Sequence, residues 1–294
     1  MIIVMKRAFY LLFVIFFLFV IFSGCSSAPK KATEIFTDRN TAIKQLDLAN
    51  YTANRGRYED ALINLDGARK LAVSADDPPL RIKTTISRGN FLFALGRNTE
   101  AFAEWKSAAD EGDASGEPVL AAMARIYSIR AQIVLLDTEP GTANAQDLLD
   151  QLSREMSAVK SDANATAIGN VTMGLAEKQM GRWADAESAV KKALSYHEGG
   201  LFLEEAAYDW FLIASIRSMA GNYDASLDAL NMAIRFDRRA ENGFGLASSW
   251  QAMGDVLSKA GRSVESIVAW QRAAEIYRAI GLNNLAEKLE EKYQ

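Results

Sequence analysis

Few side chains in this sequence are suited to covalent or acid–base chemistry. The 294 residues include one Cys, Cys25, and one His, His197. A single Cys cannot form an internal disulfide or a Cys-based zinc site, and a single His removes most His-dependent metal and triad chemistry. His197-Glu198 could form a ligand or base pair, but it lies in a Gly-containing stretch where we expect a solvated side chain. We therefore predict no catalytic residue, no metal site and no cofactor.

Cys25 follows a segment with the order of a secretory leader. Lys6-Arg7 precede fifteen consecutive apolar residues, Ala8 to Phe22, and Ser23-Gly24 then lead to the Cys. This order of charged, apolar and small residues is typical of leaders. A helix of that length spans about 22 Å against a hydrocarbon core of about 30 Å, so a permanent membrane span is the weaker interpretation. Met5 is an alternative start to Met1.

The segment Phe22-Ser23-Gly24-Cys25 resembles the lipobox of bacterial lipoproteins, with Phe where Leu is commonest. The resemblance implies a signal peptide over residues 1–24, acylation of Cys25, and an anchor with a flexible spacer over residues 25–37. A free Cys in an ordinary cleaved leader is the alternative. Acyl chains contribute about 0.8 kcal/mol per buried CH₂, so several chains hold a domain on a bilayer. Ser26 resembles the residue after the Cys in lipoproteins sent to the outer membrane.

The rest of the chain, residues 38–294, repeats one segment. Five copies align without gaps on the anchor glycines Gly56, Gly96, Gly181, Gly221 and Gly261. The anchors are 40 residues apart except for the interval of 85 between Gly96 and Gly181, which predicts a degenerate copy near residues 118–160. Each copy is predicted to be two antiparallel helices, with the anchor Gly in the left-handed conformation that ends the first helix.

Small and large residues recur at fixed distances from each anchor. Seven residues before it stands Ala or Gly, as at Gly89 and Gly254, and nine residues after it stands a large residue, as at Trp105 and Trp270. Small residues also stand five and twelve positions after every anchor. This arrangement predicts small residues facing large ones between the two helices. The five Trp occupy such large positions, which favours core packing over a stacking platform.

This pattern resembles the tetratricopeptide repeat family. The resemblance implies an all-α fold, a right-handed α-solenoid of about six helix pairs. The predicted repeats cover residues 38–77, 78–117, 118–161, 162–201, 202–241 and 242–280, and a capping helix covers residues 283–293.

The chain departs from the family pattern in its period, which is 40 residues where the family usually has about 34. We expect the extra residues in polar connectors, namely Ser74 to Pro79, Asp110 to Pro118 and Ser195 to Gly200. Asn98 and Ser263 replace an aromatic residue after the anchor. In the third repeat we expect a turn at Asp137 to Gly141, with a register that could shift by two residues.

The resemblance implies that the first helix of each pair lines a concave groove for an extended peptide or a partner helix. The groove residues implied by it are Asn50, Asn54, Lys83, Asn90, Phe93, Tyr208 and Phe211. The Asn side chains could bond a peptide backbone in either direction. For Tyr208 and Phe211 the alternative is burial against the neighbouring repeat.

Together, the two resemblances imply a lipid-anchored scaffold that binds another protein of the bacterial cell envelope, in assembly, pilus biogenesis or transport. The expected location is the outer membrane, facing the periplasm, with the lipid bilayer engaged through acylated Cys25. The net charge of −4 argues against nucleic acid as a partner. The alternatives are an oligomeric accessory subunit of a solute transporter with a small apolar ligand, and a surface lipoprotein that contacts host molecules. The oligomeric state is not indicated.

Overall fold

The computed structural model describes residues 36–136 and 144–292, and every regular element within those ranges is an α-helix. The prediction of an all-α solenoid is confirmed, because successive antiparallel helices pack in chain order. The predicted leader, the lipidation at Cys25 and the predicted turn from Asp137 to Gly141 lie outside the described residues.

The described helices form six pairs followed by a terminal helix. In chain order they are α1 (Thr37–Ala53), α2 (Tyr58–Ser74), α3 (Pro78–Ala94), α4 (Asn98–Ser115), α5 (Pro118–Leu135), α6 (Ala145–Val159), α7 (Ala163–Gln179), α8 (Trp183–Gly199), α9 (Leu203–Met219), α10 (Tyr223–Arg239), α11 (Gly243–Lys259), α12 (Ser263–Ala279) and α13 (Asn283–Glu290). From α2 to α5 and again from α7 to α13, successive helices begin 20 residues apart. The 40-residue period therefore consists of two helices of nearly equal length.

The anchor glycines end the first helix of each pair in the predicted left-handed conformation. Their φ angles lie between 70° and 81°, and Gly116 and Gly281 take the same conformation between pairs. At these ends the amide one residue further on donates to a carbonyl five residues back, for example Arg262 N to Leu257 O at 2.9 Å. This is the Schellman arrangement, which satisfies carbonyls that the helix leaves free. The prediction for the anchors is confirmed.

The prediction that polar connectors absorb the extra residues of the repeat is wrong. Asp110–Ser115 continue α4, Ser195–Gly199 continue α8, and Pro78-Pro79 form the first turn of α3. Proline is tolerated in a first helical turn because the amides there have no partner within the helix. The extra residues therefore lengthen the helices, and each of these three connectors keeps only two to three residues.

The predicted contact between small and large residues is present within the pairs. A methyl group on Gly89 would come within 2.5 Å of Trp105 Nε1, and one on Gly254 within 2.4 Å of the Trp270 ring. A methyl group on Gly174 would likewise come within 2.4 Å of Val190 Cγ2. Distances this short are not tolerated between real atoms, so only glycine permits these helices to approach so closely.

The Trp side chains divide between full and partial burial. Trp105 and Trp270 are buried, as the core interpretation predicts, while Trp183, Trp210 and Trp250 are partly buried against the core. The small residues five and twelve positions after each anchor are also buried. The core consists of clusters that follow one another along the solenoid and are built mostly from Ala, Leu, Ile and Val.

Helix α5 is unusually apolar, with a mean hydropathy of 1.2 over 18 residues, and by length and composition alone it could cross a membrane. Its Ile126 and Ile133 are fully buried in the same core cluster as Leu148 and Leu152 of α6. Packing between α4, α6 and α7 accounts for this composition.

Candidate functional site: the inner face of the solenoid

The groove residues implied by the sequence lie on α1, α3 and α9, which are first helices of their pairs, except Asn54, which lies in the turn directly after α1. Asn50, Lys83 and Tyr208 are exposed. Asn54, Asn90, Phe93 and Phe211 are partly buried. We call the side chains on these first helices the inner face.

On α3, two of these residues contact the second helix of their own pair. The Phe93 ring lies 5.9 Å from the Trp105 ring, and Trp105 Nε1 donates to Asn90 Oδ1 at 3.1 Å. Trp270 Nε1 donates to Asp255 Oδ1 at 3.0 Å in the corresponding positions of the sixth pair. Because a buried indole N–H needs an acceptor, Asn90 supports the core packing of Trp105 whatever else it binds.

Phe211 and Tyr208 differ in their surroundings, although both are on α9. Phe211 is partly buried and packs against the central hydrophobic cluster. The Tyr208 side chain is 39% exposed, and the Arg130 guanidinium from α5 lies 4.9 Å from the centre of its ring. A cation over an aromatic face is stabilised by the negative potential of that face. Tyr208 is therefore the aromatic residue of the predicted groove that is both accessible and held in place.

The contact between Arg130 and Tyr208 joins the third pair to the fifth. Tyr127 is one turn before Arg130 on α5 and lies near Asn90 of the second pair, and burial raises the pKa of its hydroxyl. Tyr127 therefore stays neutral at pH 7 and keeps a proton to donate. Glu205 of α9 is close enough to interact electrostatically with Tyr127, and Asp209 of the same helix is close enough to interact with Arg130. Side chains of α3, α5 and α9 thus form one polar cluster on the inner face.

Arg130 was missed by the sequence reasoning, although a signal was present. It stands twelve residues after the start of α5, which is where Asn90 stands in α3. Asn90 was identified because its repeat has an anchor Gly, whereas the third repeat has none that fixes the register. The helix start at Pro118, equivalent to Pro78, would have located Arg130.

His197 is not solvated, and that prediction is wrong. It is 4% exposed in the last turn of α8, and its Nδ1 lies 2.6 Å from Oδ2 of Asp209, which is 1% exposed. The helix continues through His197 and encloses it between the rings of Tyr196 and Phe202. A catalytic His–Asp pair must present its second imidazole nitrogen to a substrate, and this burial leaves no such access. The pair joins α8 to α9 within the core.

A second buried polar contact occupies the same place one pair later. Asp237 and His197 each stand sixteen residues after their anchor, and Asp237 accepts hydrogen bonds from Ser249 Oγ at 3.3 Å and Asn242 Nδ2 at 3.0 Å. Burial raises the pKa of Asp237 to about 7, and its two donors oppose that rise. Burial also raises the pKa of Asp209, and the hydrogen bond with His197 opposes that rise. Both carboxyls are buried between successive helix pairs.

The matches to known proteins come from solved structures. No protein-family profile matches the chain, and no curated protein matches it. Forty-four chains of solved structures match it. One is a signal-transduction ATPase with numerous domains from Pyrococcus horikoshii that has a tetratricopeptide repeat sensor, with 12% identity and a TM-score of 0.48 over 87% of this chain. The match covers 42% of that larger protein.

The class of protein follows from the chain's own geometry. Paired helices, left-handed glycines at the turns and small residues opposite large ones define an all-α solenoid of helix pairs. Proteins with this architecture are suited to binding other proteins, because the stacked pairs form an extended inner face.

Proposed function

We propose that the protein is a lipid-anchored bacterial lipoprotein that binds another cell-envelope protein on its inner face. The observation that supports this most is the accessible Tyr208 ring held under the Arg130 guanidinium. Tyr and Arg are the residue types that contribute most to protein interfaces, since they combine a large rigid area with polar groups. A pre-formed Tyr–Arg pair gives a partner a contact that needs little further ordering.

The polar character of the inner face favours a protein partner over a small apolar ligand. Around Tyr208 the neighbouring groups include Arg130, which is partly exposed, and Glu205, which is exposed. An apolar ligand would remove water from these charges without replacing their hydrogen bonds. A peptide supplies both donors and acceptors, and Asn50 on α1 and Lys83 on α3 are exposed.

The membrane-anchoring part of the proposal rests on the lipobox-like segment that ends at Cys25. In Cys25→Ala cells the protein should move from the membrane fraction to the soluble fraction, because the acyl chains hold the domain on the bilayer. Ser26→Ala serves as the control and should leave the protein in the membrane fraction. Retention of the Cys25→Ala protein on membranes would contradict lipid anchoring.

The partner-binding part is tested by photo-crosslinking in cells. A photoreactive phenylalanine in place of Tyr208 should give a defined adduct with one envelope protein. The same residue in place of Val264, which is 79% exposed on α12, should not give that adduct. Equal labelling at the two positions, or no adduct at position 208, would contradict binding on the inner face.

A further inference from the structure

The turn between α1 and α2 contacts the far end of the solenoid. In a solenoid each pair packs only on its neighbours, so contacts between distant pairs are not a property of the repeat itself. Here Asn54 Nδ2 donates to Glu204 Oε2 at the start of α9, 150 residues away. Arg55 Nη2 donates to the backbone oxygen of Glu241, between α10 and α11, at 3.3 Å.

Apolar contacts join the same two regions. The Tyr58 ring lies 6.5 Å from the Phe244 ring in an edge-to-face arrangement. A methyl group on Gly56 would come within 2.9 Å of Leu282 Cδ1 and 3.0 Å of Phe244 Cδ2. The first turn of the solenoid therefore packs against the start of α9, the start of α11 and the segment before α13.

We call this contact the clasp: Asn54, Arg55, Gly56 and Tyr58 on one side, and Glu204, Glu241, Phe244 and Leu282 on the other. It is made mainly by side chains, and the helices it joins share few close backbone approaches, in contrast to neighbouring pairs. Side-chain contacts of this kind can be released without unpacking a helix pair.

The clasp and the polar cluster both use inner-face residues that a partner would contact. Asn54 bonds to Glu204, and Tyr208, one helical turn after Glu204 on α9, lies under Arg130. We infer that the free protein is a closed ring held by the clasp, and that release of the clasp opens the inner face to the partner. The partner-binding half of this inference rests on the proposed function, whereas the closed ring does not.

Two glycines of the chain provide a matched test of the closed ring. Gly56 and Gly96 are anchors with φ of +73° and +75°, so an alanine at either position imposes the same backbone strain. A methyl group at Gly56 would strike Leu282 and Phe244, whereas one at Gly96 meets nothing within 4 Å. Gly56→Ala therefore differs from Gly96→Ala by its effect on the clasp.

Amide hydrogen exchange of the full-length protein in detergent micelles measures how each substitution affects the clasp. In Gly56→Ala, exchange over residues 241–246 and 280–285 should become about two- to tenfold faster than in wild type, as expected for the loss of an aromatic contact. Both segments lie more than 180 residues from the substitution, so local strain cannot reach them along the chain. Gly96→Ala should leave them unchanged. Equal exchange in the two variants would overturn the closed ring.

A charge substitution tests the clasp without backbone strain. Asn54→Asp places a carboxylate against Glu204, and Asn50→Asp places one four residues earlier, on α1, where the side chain is exposed. Faster exchange over residues 241–246 and 280–285 is expected for Asn54→Asp alone. The absence of any difference between these two variants would also overturn the closed ring, even if Gly56→Ala does not fold.

Competition between the clasp and the partner for the inner face is measured separately, by crosslinking. Photo-crosslinking from position 208 should increase in Gly56→Ala cells and stay unchanged in Gly96→Ala cells. Faster exchange without increased crosslinking would overturn the competition while the closed ring stands. A missing adduct in wild type and in both variants, with exchange changed as predicted, would place the failure in the proposed function.

Discussion

Contacts between successive helix pairs are built in two different ways in the two halves of the molecule. Sixteen residues after their anchors, the first two pairs carry Ala72 and Gly112, and the fourth and fifth carry His197 and Asp237. A methyl group on Gly112 would lie 2.9 Å from Ala121 Cβ, so this contact between α4 and α5 depends on shape alone. The later contacts bury hydrogen-bonded ionisable groups instead.

The comparison separates what the repeat requires from what it permits. The left-handed turn and the small residues opposite large ones are present in both halves, so they define the helix pair. The contact between pairs accepts either close backbone approach or a buried polar pair. A buried polar pair requires its partner in place, which makes these positions sensitive to substitution and to pH.

The largest loss of stability is expected at the buried pair of His197 and Asp209 in the second half of the molecule. His197→Ala removes the hydrogen-bond partner of Asp209 and leaves a buried carboxyl, which costs about 3–5 kcal/mol of unfolding free energy. Urea unfolding followed by circular dichroism measures it. The double substitution with Asp209→Ala should recover part of the loss, and a cost below about 1 kcal/mol for His197→Ala would contradict the role of the pair.

The next effect depends on pH. Because the pKa of Asp237 is raised from 3.8 to about 7, the native state binds the proton more tightly than the unfolded state. Its contribution to stability therefore falls as pH rises from about 4 to about 7. Asp237→Asn should be more stable than wild type by about 2–4 kcal/mol at pH 8 and equal to it below pH 4. A difference independent of pH would contradict burial of a titrating carboxyl.

The equivalent apolar contact should respond to volume and not to pH. Gly112→Ala forces a methyl group against Ala121 and should cost about 1–3 kcal/mol. Urea unfolding at pH 5 and pH 8 should give the same loss. A loss that changes between these pH values would show that the two kinds of contact do not differ as described.

The smallest effect concerns the turns that both halves share. Leu201 adopts φ +58°, a left-handed conformation that Gly takes at seven other turns in the described ranges, and the residue is 71% exposed. Leu201→Gly should raise stability by about 1 kcal/mol, because the left-handed conformation costs a residue with a Cβ. Gly221→Ala, with open space around the Cβ position, should lower stability by a similar amount. Thermal unfolding compares them, and a loss of stability in Leu201→Gly would contradict strain at this turn.

The features that could be predicted from the sequence are those set within one helix pair. The turns and the facing small and large residues depend on residues less than twenty positions apart, so the repeat displays them directly. The connectors were predicted wrongly because polar residues such as Asp110 and Ser195 look like loop residues, although they continue exposed helix faces. His197 was misplaced for the same reason.

The clasp could not be predicted from the sequence. The meeting of Gly56 with Leu282 depends on the rotation between each pair and the next, summed over six pairs. No local pattern encodes that sum, because small angular differences accumulate along a solenoid. Among the inner-face residues, Tyr208 was identified from its excess of apolar neighbours in sequence, while its partner Arg130 emerged only from the structure.

Binding of the captured envelope protein to Tyr208→Ala and Val264→Ala tests the central claim most directly. Titration of the full-length protein in detergent against that partner gives both dissociation constants. Loss of an interface residue of this kind should weaken binding about 30-fold or more for Tyr208→Ala, and the change for Val264→Ala should stay below about twofold. Equal affinities in the two variants would contradict partner binding on the inner face.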